Sequence, residues 1–266
     1  MCGIIGATSS RSVGKILIKG LQSMEYRGYD SAGIALSQKN QVVRLRALGK
    51  VSNLEEMMVE HKPKAKTGIA HTRWATHGEP SEDNAHPHGS NEEIYIVHNG
   101  IIENHEPIRT RLKNEGYKIT SQTDSELIAH LIHLYKEESG STLQALIEAT
   151  KELKGAYSIA VIDKDKKGKV FAARQKSPLL IGRGIEENFV ASDPLAIANI
   201  TEGFYLLEDG DFAEISKEKI KIYDETSKEV QRKETQIEAT ATATTRGGYK
   251  HFMAVSYTHL TLPTKA

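Results

Sequence analysis

The chain is 266 residues long, 38% hydrophobic and 26% charged, with 35 Lys+Arg against 35 Asp+Glu, which describes a globular protein with room for one large or two modest domains. A formal charge of zero gives no electrostatic reason to bind nucleic acid, no apolar run approaches the ~20 residues that span a bilayer, and no charged lead with an apolar core marks a signal peptide. A single cysteine excludes an internal disulfide and suits a reducing compartment, so the cytoplasm is the expected location.

That cysteine is the second residue, in Met1-Cys2-Gly3-Ile4-Ile5-Gly6. Gly3 to Ala7 reads as a strand, and Cys2 could be no more than a small apolar residue at its start. Removal of Met1 would instead leave Cys2 with a thiol and a free α-amine on one residue. A thiol attacks as its thiolate, and an amine titrating near pH ~8 can take the proton, as in threonine nucleophiles activated by their own amine.

Ser12 can cap a helix running to about Glu25, with Val13, Ile16, Leu17, Gly20, Leu21 and Met24 on one face. Tyr26 to Gly33 is polar and Gly-rich and reads as a loop. Ile34 to Ser37 and Val42 to Leu48 form a strand pair, Asn53 to His61 a short helix, and Thr67 to Ala75 a strand carrying His71, Arg73 and Trp74 to its end. Thr76 to about Glu92 reads as a long irregular loop. Ile94 to His98 alternates and stops at Asn99-Gly100.

Further on, Glu106 to Glu115 is a helix stopped by Gly116. Thr123 and Glu126 fit a capping box opening another, with Leu127, Ile128, Leu131, Ile132 and Tyr135 on one side. Ser141 with Gln144 fits a second box, on a helix to Leu153. After Gly155 the pattern becomes strands: Tyr157 to Asp163, Val170 to Arg174, Leu179 to Gly182, Phe189 to Ser192, Phe204 to Ile215 broken at Asp209-Gly210, and Lys219 to Tyr223. Many strands and several amphipathic helices without strict alternation define an α+β protein, best satisfied by two face-to-face sheets with helices outside. Small and polar residues from Glu238 onward read as a linker, so the domain is expected to span 2–238.

Several residues carry two readings. Arg73 has a donor fork suited to a carboxylate, or is a surface residue beside a core tryptophan, Trp74. Asn99-Gly100 is a hairpin turn signal, or the Asn99 amide and Gly100 N–H are an oxyanion hole. Asp124 caps a helix, or receives a substrate ammonium. His71, His77, His86, His88 and His98 invite a metal, but no zinc-like spacing supports one. No nucleotide-binding loop is present, and no cofactor is expected. The residues also admit a non-catalytic amino-acid-binding module that keeps the site but performs no chemistry.

The N-terminal Cys2-Gly3-Ile4 resembles the class II glutamine amidotransferases, which are N-terminal nucleophile hydrolases. The segments 25–33, 71–88 and His98-Asn99-Gly100-Ile101-Ile102-Glu103-Asn104-His105 resemble the glutaminase domain of the glucosamine-6-phosphate synthase family over residues 2 to about 253. The resemblance implies a four-layer αββα sandwich. It further implies attack by Cys2 on the side-chain amide of L-glutamine, with release of ammonia and then of glutamate from a thioester. It assigns the substrate α-carboxylate to Arg73 with Thr76 and His77 nearby, and the α-ammonium to Asp124. Asn99 and Gly100 become the oxyanion hole, Trp74 a gate for ammonia, and Arg27 part of a loop closing on the nucleophile. Full-length members are expected to be homodimers with two sugar-phosphate isomerase subdomains that take fructose 6-phosphate. Here 239–253 resembles only a linker and the start of that half, and 254–266 resembles nothing in the family and reads as a foreign tail.

Overall fold

A computed structural model describes residues 2–75, 78–201 and 203–236. The expected boundary at 238, the linker and the tail lie outside these residues, as do Thr76 and His77. The first half runs β1 (Gly3–Ser9), α1 (Gly14–Met24), β2 (Ser31–Ser37), β3 (Val42–Leu48), α2 (Val51–His61), β4 (Thr67–Arg73), β5 (His88–Ser90), β6 (Ile94–Ile102) and α3 (His105–Asn114). It continues with α4 (Ser125–Ser139), α5 (Thr142–Glu152), β7 (Gly155–Asp163), β8 (Lys169–Gln175), β9 (Leu180–Arg183) and β10 (Glu187–Ala191). The remaining strands are β11 (Gly203–Leu206), β12 (Phe212–Ser216), β13 (Ile220–Tyr223), β14 (Glu229–Val230) and β15 (Glu234–Gln236).

The strands form two antiparallel sheets, ordered β15-β11-β9-β10-β1-β4-β2-β3 and β14-β13-β12-β8-β7-β6-β5. Side-chain alternation explains how they stack. Along β6, Ile94 and Ile96 pack with α3, α4 and α5, whereas Tyr95 and Val97 pack against the other sheet. β7 repeats this, Ile159 and Val161 outward and Ala160 and Ile162 inward. In the first sheet, Ile5 and Ala70 face α1 and α2 while Ile4 and Ile69 face inward. Three apolar layers thus separate four structural ones, giving the αββα sandwich. The central strands are therefore buried on both faces, as along β1 and from Tyr157 to Asp163 of β7, whereas β3 carries Arg44 and Arg46 and the edge strand β15 is exposed. No helix among the described residues is long and apolar enough to cross a membrane.

Several elements differ from the sequence expectation. Helix α1 starts at Gly14 with Val13 in the cap position and no side-chain cap; Ser12 is exposed. The Val13 N–H donates to Ala65 O at 2.9 Å, so tertiary pairing sets the start. The Tyr26–Gly33 loop is shorter than expected because β2 begins at Ser31. Gly33 belongs inside that strand: a Cβ there would lie 2.0 Å from His86 O, so the 86 backbone crosses where only glycine fits. The long loop after β4 hides β5, which pairs with β6 through Ser90↔Ile94. The break at Asp209-Gly210 holds, with Gly210 at φ +83°, and it passes the chain from one sheet to the other.

Candidate active site

The same alternation that builds the core selects the site. Cys2 lies one step before β1 on the side of Ile4, His71 and Arg73 follow Ile69 along β4, and Asn99 follows Val97 along β6. All four therefore point into the inter-sheet space at one end of the sandwich. β1 is held between β10 and β4, with Gly3 opposite Thr72, so the chain start sits in the middle of a sheet rather than fraying at its edge.

The half-buried thiol of Cys2 accepts the Trp74 N–H at 3.3 Å and lies 3.6 Å from the Trp74 carbonyl oxygen. Burial pushes the thiol pKa up, the Trp74 N–H opposes this, and the charges of Asp30 and Arg73 act on it in opposite directions. Asn99, 8% exposed, donates its amide N–H to the Cys2 carbonyl oxygen at 3.2 Å. The hairpin reading of Asn99-Gly100 fails. β6 runs straight through both, pairing Asn99 with Ser158 and Gly100 with Tyr157 on β7. Gly100 sits at φ +135°, where an added Cβ would be 1.9 Å from Ala156 O. The glycine is required by strand geometry, not by a turn.

Arg73 is buried, and its guanidinium donates to Gly78 O at 3.0 Å and Glu79 O at 3.3 Å, holding the start of the following loop. Trp74 is not a core residue: it is 37% exposed and meets Tyr29 edge-on at 6.1 Å between ring centroids. Asp124 occupies the N-cap position of α4 yet makes no capping bond; its Oδ2 accepts the Ile102 N–H at 2.7 Å, just past Gly100. Only half of the expected capping box forms. Thr123 Oγ1 accepts the Glu126 N–H at 3.4 Å, but the Glu126 carboxylate turns to the N–H groups of Thr120 and Ser121. Arg27 forms an ion pair with Asp193, which also accepts the Tyr26 hydroxyl at 2.8 Å. Its neighbour Gly28 packs against the Arg73–Trp74 backbone, where a Cβ would be 2.9 Å from Arg73 O.

Two features had gone unassigned. Asp30 accepts the Ala75 N–H and its charge reaches Cys2; a carboxylate in a polar, glycine-flanked loop was the available signal. The histidines pack as a buried stack: His71 to His86 at 4.0 Å and His86 to His88 at 4.6 Å between ring centroids. Burial draws His71 and His88 down to about 3 and His86 well below the ordinary value, so these rings are neutral. Among the described residues, the grouping with metal-compatible spacing is Glu93, His133 and Glu137, which includes none of them; Lys136 Nζ lies 3.1 Å from Glu93 there.

The candidate site thus comprises a thiol at the head of a central strand, an amide from the opposite sheet beside its carbonyl, an arginine at the end of β4 and an aspartate bonded to the end of β6. Residues 71–199 match the glutamine amidotransferase domain family. The matched segment is thus similar to a glutamine amidotransferase domain, and the two-sheet fold is that of the N-terminal nucleophile amidotransferases.

The chain's relatives are glutamine–fructose-6-phosphate aminotransferases (isomerizing). It is 50% identical over 254 residues to that of Pseudomonas aeruginosa, covering 95% of this chain and 42% of that protein. It is 49% identical over 254 residues to that of Escherichia coli K12, with the same coverage. The chain thus spans about two-fifths of the length of these relatives, 42% in each. Among solved structures it is similar to the glutamine phosphoribosylpyrophosphate amidotransferase of B. subtilis (TM-score 0.72, 25% identity, 84% of this chain and 49% of that one). The fold is also that of a glutamine aminotransferase class-II domain protein from Silicibacter pomeroyi (TM-score 0.60, 18% identity, 84% and 99% covered).

Proposed function

We propose that this domain hydrolyses the side-chain amide of L-glutamine with Cys2, freed of Met1, as the nucleophile. The α-amine of Cys2 takes the thiol proton as sulfur adds to the amide carbon. Asn99 Nδ2 and the Gly100 N–H stabilise the oxyanion. The C–N bond breaks, the amine returns the proton to the leaving nitrogen, and ammonia departs from a γ-glutamyl thioester. Water, deprotonated by the same amine, then displaces sulfur and releases glutamate. Arg73 holds the substrate carboxylate and Asp124 its ammonium. Thr76 and His77 are proposed to contribute beside Arg73, Trp74 to gate ammonia, and Arg27 to anchor the loop that closes over the site.

One observation carries this reading: Asn99, from the opposite sheet, places an amide N–H 3.2 Å from the carbonyl of the residue that bears the protein's single thiol. The name shared by the relatives supports D-fructose 6-phosphate as the acceptor of the ammonia in the whole enzyme, on isomerase domains beyond the part matched here. The activity proposed for the part described here is that of a glutaminase.

The test is glutamate and ammonia release from L-glutamine by the processed chain, with Cys2→Ala and an uncleavable N-terminal extension as controls. Both controls should be folded and inactive. An extended protein that turns over normally removes the α-amine from the mechanism, and an active Cys2→Ala removes the nucleophile.

A further inference from the structure

We propose that His71 is a positioning residue that fixes the orientation of the Asn99 amide, so that its N–H rather than its oxygen faces the nucleophile; this rests on reading Asn99 as the oxyanion donor. His71 is 1% exposed and sits on β4, across the inter-sheet space from Asn99 on β6. Its Nε2 lies 3.1 Å from the carbonyl oxygen of His98 and 2.9 Å from Asn99 Oδ1. A backbone carbonyl can only accept, so Nε2 must carry the ring proton. The ring, buried and neutral, has one N–H to give, and Nδ1 is correspondingly without a partner among the described residues. An N–H at Nε2 then opposes the amide N–H groups of Asn99 and donates to its oxygen. The amide N–H is thereby turned to the Cys2 side, where it meets the Cys2 carbonyl at 3.2 Å.

The oxygen and nitrogen of an isolated asparagine amide exchange places by a half-turn about one bond. With the wrong face presented, the site would meet a developing negative charge with an acceptor. His71 closes that alternative, and it is itself held. His86 packs against its ring at 4.0 Å, His88 packs on His86, and His88 Nε2 reaches Thr123 Oγ1 at 3.1 Å, beside Asp124. One buried rib therefore supports both the oxyanion donor and the start of the helix that carries the proposed ammonium acceptor.

The experiment is a double-mutant cycle on the full, processed chain, reading kcat and KM for L-glutamine and the rate of Cys2 alkylation by iodoacetamide. His71→Leu keeps bulk and removes the donor. His71→Gln can return an amide N–H near the position of Nε2. The expected results are that H71L lowers kcat roughly 10–100-fold, with KM and alkylation rate changed less than about threefold, and that H71Q recovers most of the loss. H71L added to Asn99→Ala should cause no further fall in kcat. Should H71L fail to fold, His71→Asn, whose amide stops short of Asn99, replaces it in the cycle. Parental kcat in the donorless variant, equal losses in that variant and H71Q, or losses that multiply in full with N99A each overturn the inference. Parental kcat in N99A alone overturns the oxyanion reading instead.

Discussion

Asn99 donates to the carbonyl oxygen of Cys2 at 3.2 Å across 97 positions of sequence, and the two residues belong to different sheets. The contact exists only when the sandwich is assembled, so the proposed chemistry depends on sheet packing and not on a local motif.

Asn99→Ala tests that dependence directly. The substitution removes a donor aimed at charge that appears only in the transition state. It is expected to lower kcat for glutamine hydrolysis about 10²–10³-fold with little change in KM. Steady-state glutamate release measures both constants; a raised KM with unchanged kcat would instead place Asn99 in ground-state binding.

Asp124→Asn separates charge from scaffold. The Oδ1 of asparagine can still accept the Ile102 N–H that Asp124 now takes at 2.7 Å, so the α4 junction should persist. A charge-assisted bond to the substrate ammonium, worth about 1.5–3 kcal/mol, would be lost. KM for glutamine is expected to rise about 10–100-fold while the melting temperature moves by no more than about 3 °C. A large thermal shift with unchanged KM would make the carboxylate purely structural.

The histidine stack sets an acid limit on stability. His71 and His88 titrate near 3 when folded, because burial disfavours their charged form, against about 6.5 when unfolded. The unfolded chain therefore binds protons that the folded one refuses. Stability is intact above about pH 6.5 and falls as pH drops towards 3, by about 2 kcal/mol at pH 5 for each of the two rings. His86 and His98 are also lowered and add with the same sign. Burial would raise the Glu126 pKa, but hydrogen bonds from His130, Thr120 and Ser121 hold it below the usual carboxylate range, so its contribution fades only at lower pH. Denaturant unfolding at pH 7.5, 6 and 5 should show a steep loss across that interval; a flat profile would mean that the rings are not buried and neutral.

The layered fold was legible because many strands and several amphipathic helices without strict alternation leave two sheets needing each other and the helices as cover, and the inward and outward packing of β6 and β7 agrees. What failed were local rules competing with distant partners. Asn99-Gly100 carries a turn signal, but nine consecutive pairs with β7, from Ile94↔Asp163 to Ile102↔Gly155, carry the strand through it. Ser12 has the right chemistry for a cap, but Val13 is fixed by Ala65. Glu126 fits a capping box, yet Thr120 and Ser121 offer it backbone N–H groups. In the site, Cys2 was conspicuous by its place in the chain. His71 was not, because residue type alone suggests a ligand, and its partner Asn99 is 28 positions away on the other sheet.

Gly100→Ala gives the sharpest test of how backbone and site are joined. At φ +135° an added Cβ would stand 1.9 Å from Ala156 O and 2.8 Å from its carbonyl carbon, both main-chain atoms that cannot swing aside. Gly116 provides the contrast, with φ +86° and nothing within 4 Å of the same added atom. Gly116→Ala should cost only left-handed strain, about 1–2 kcal/mol. Gly100→Ala adds a steric clash to unfavourable φ and is expected to cost more than about 3 kcal/mol. Relief requires β6 to move away from β7 at the residue following Asn99, so the amide must leave its position over Cys2. Thermal melts should therefore rank G100A well below G116A, and glutamine turnover should collapse in G100A while G116A stays near the parent. Equal melts would show that β6 can yield at this point and that Gly100 is not what holds the Asn99 amide in place.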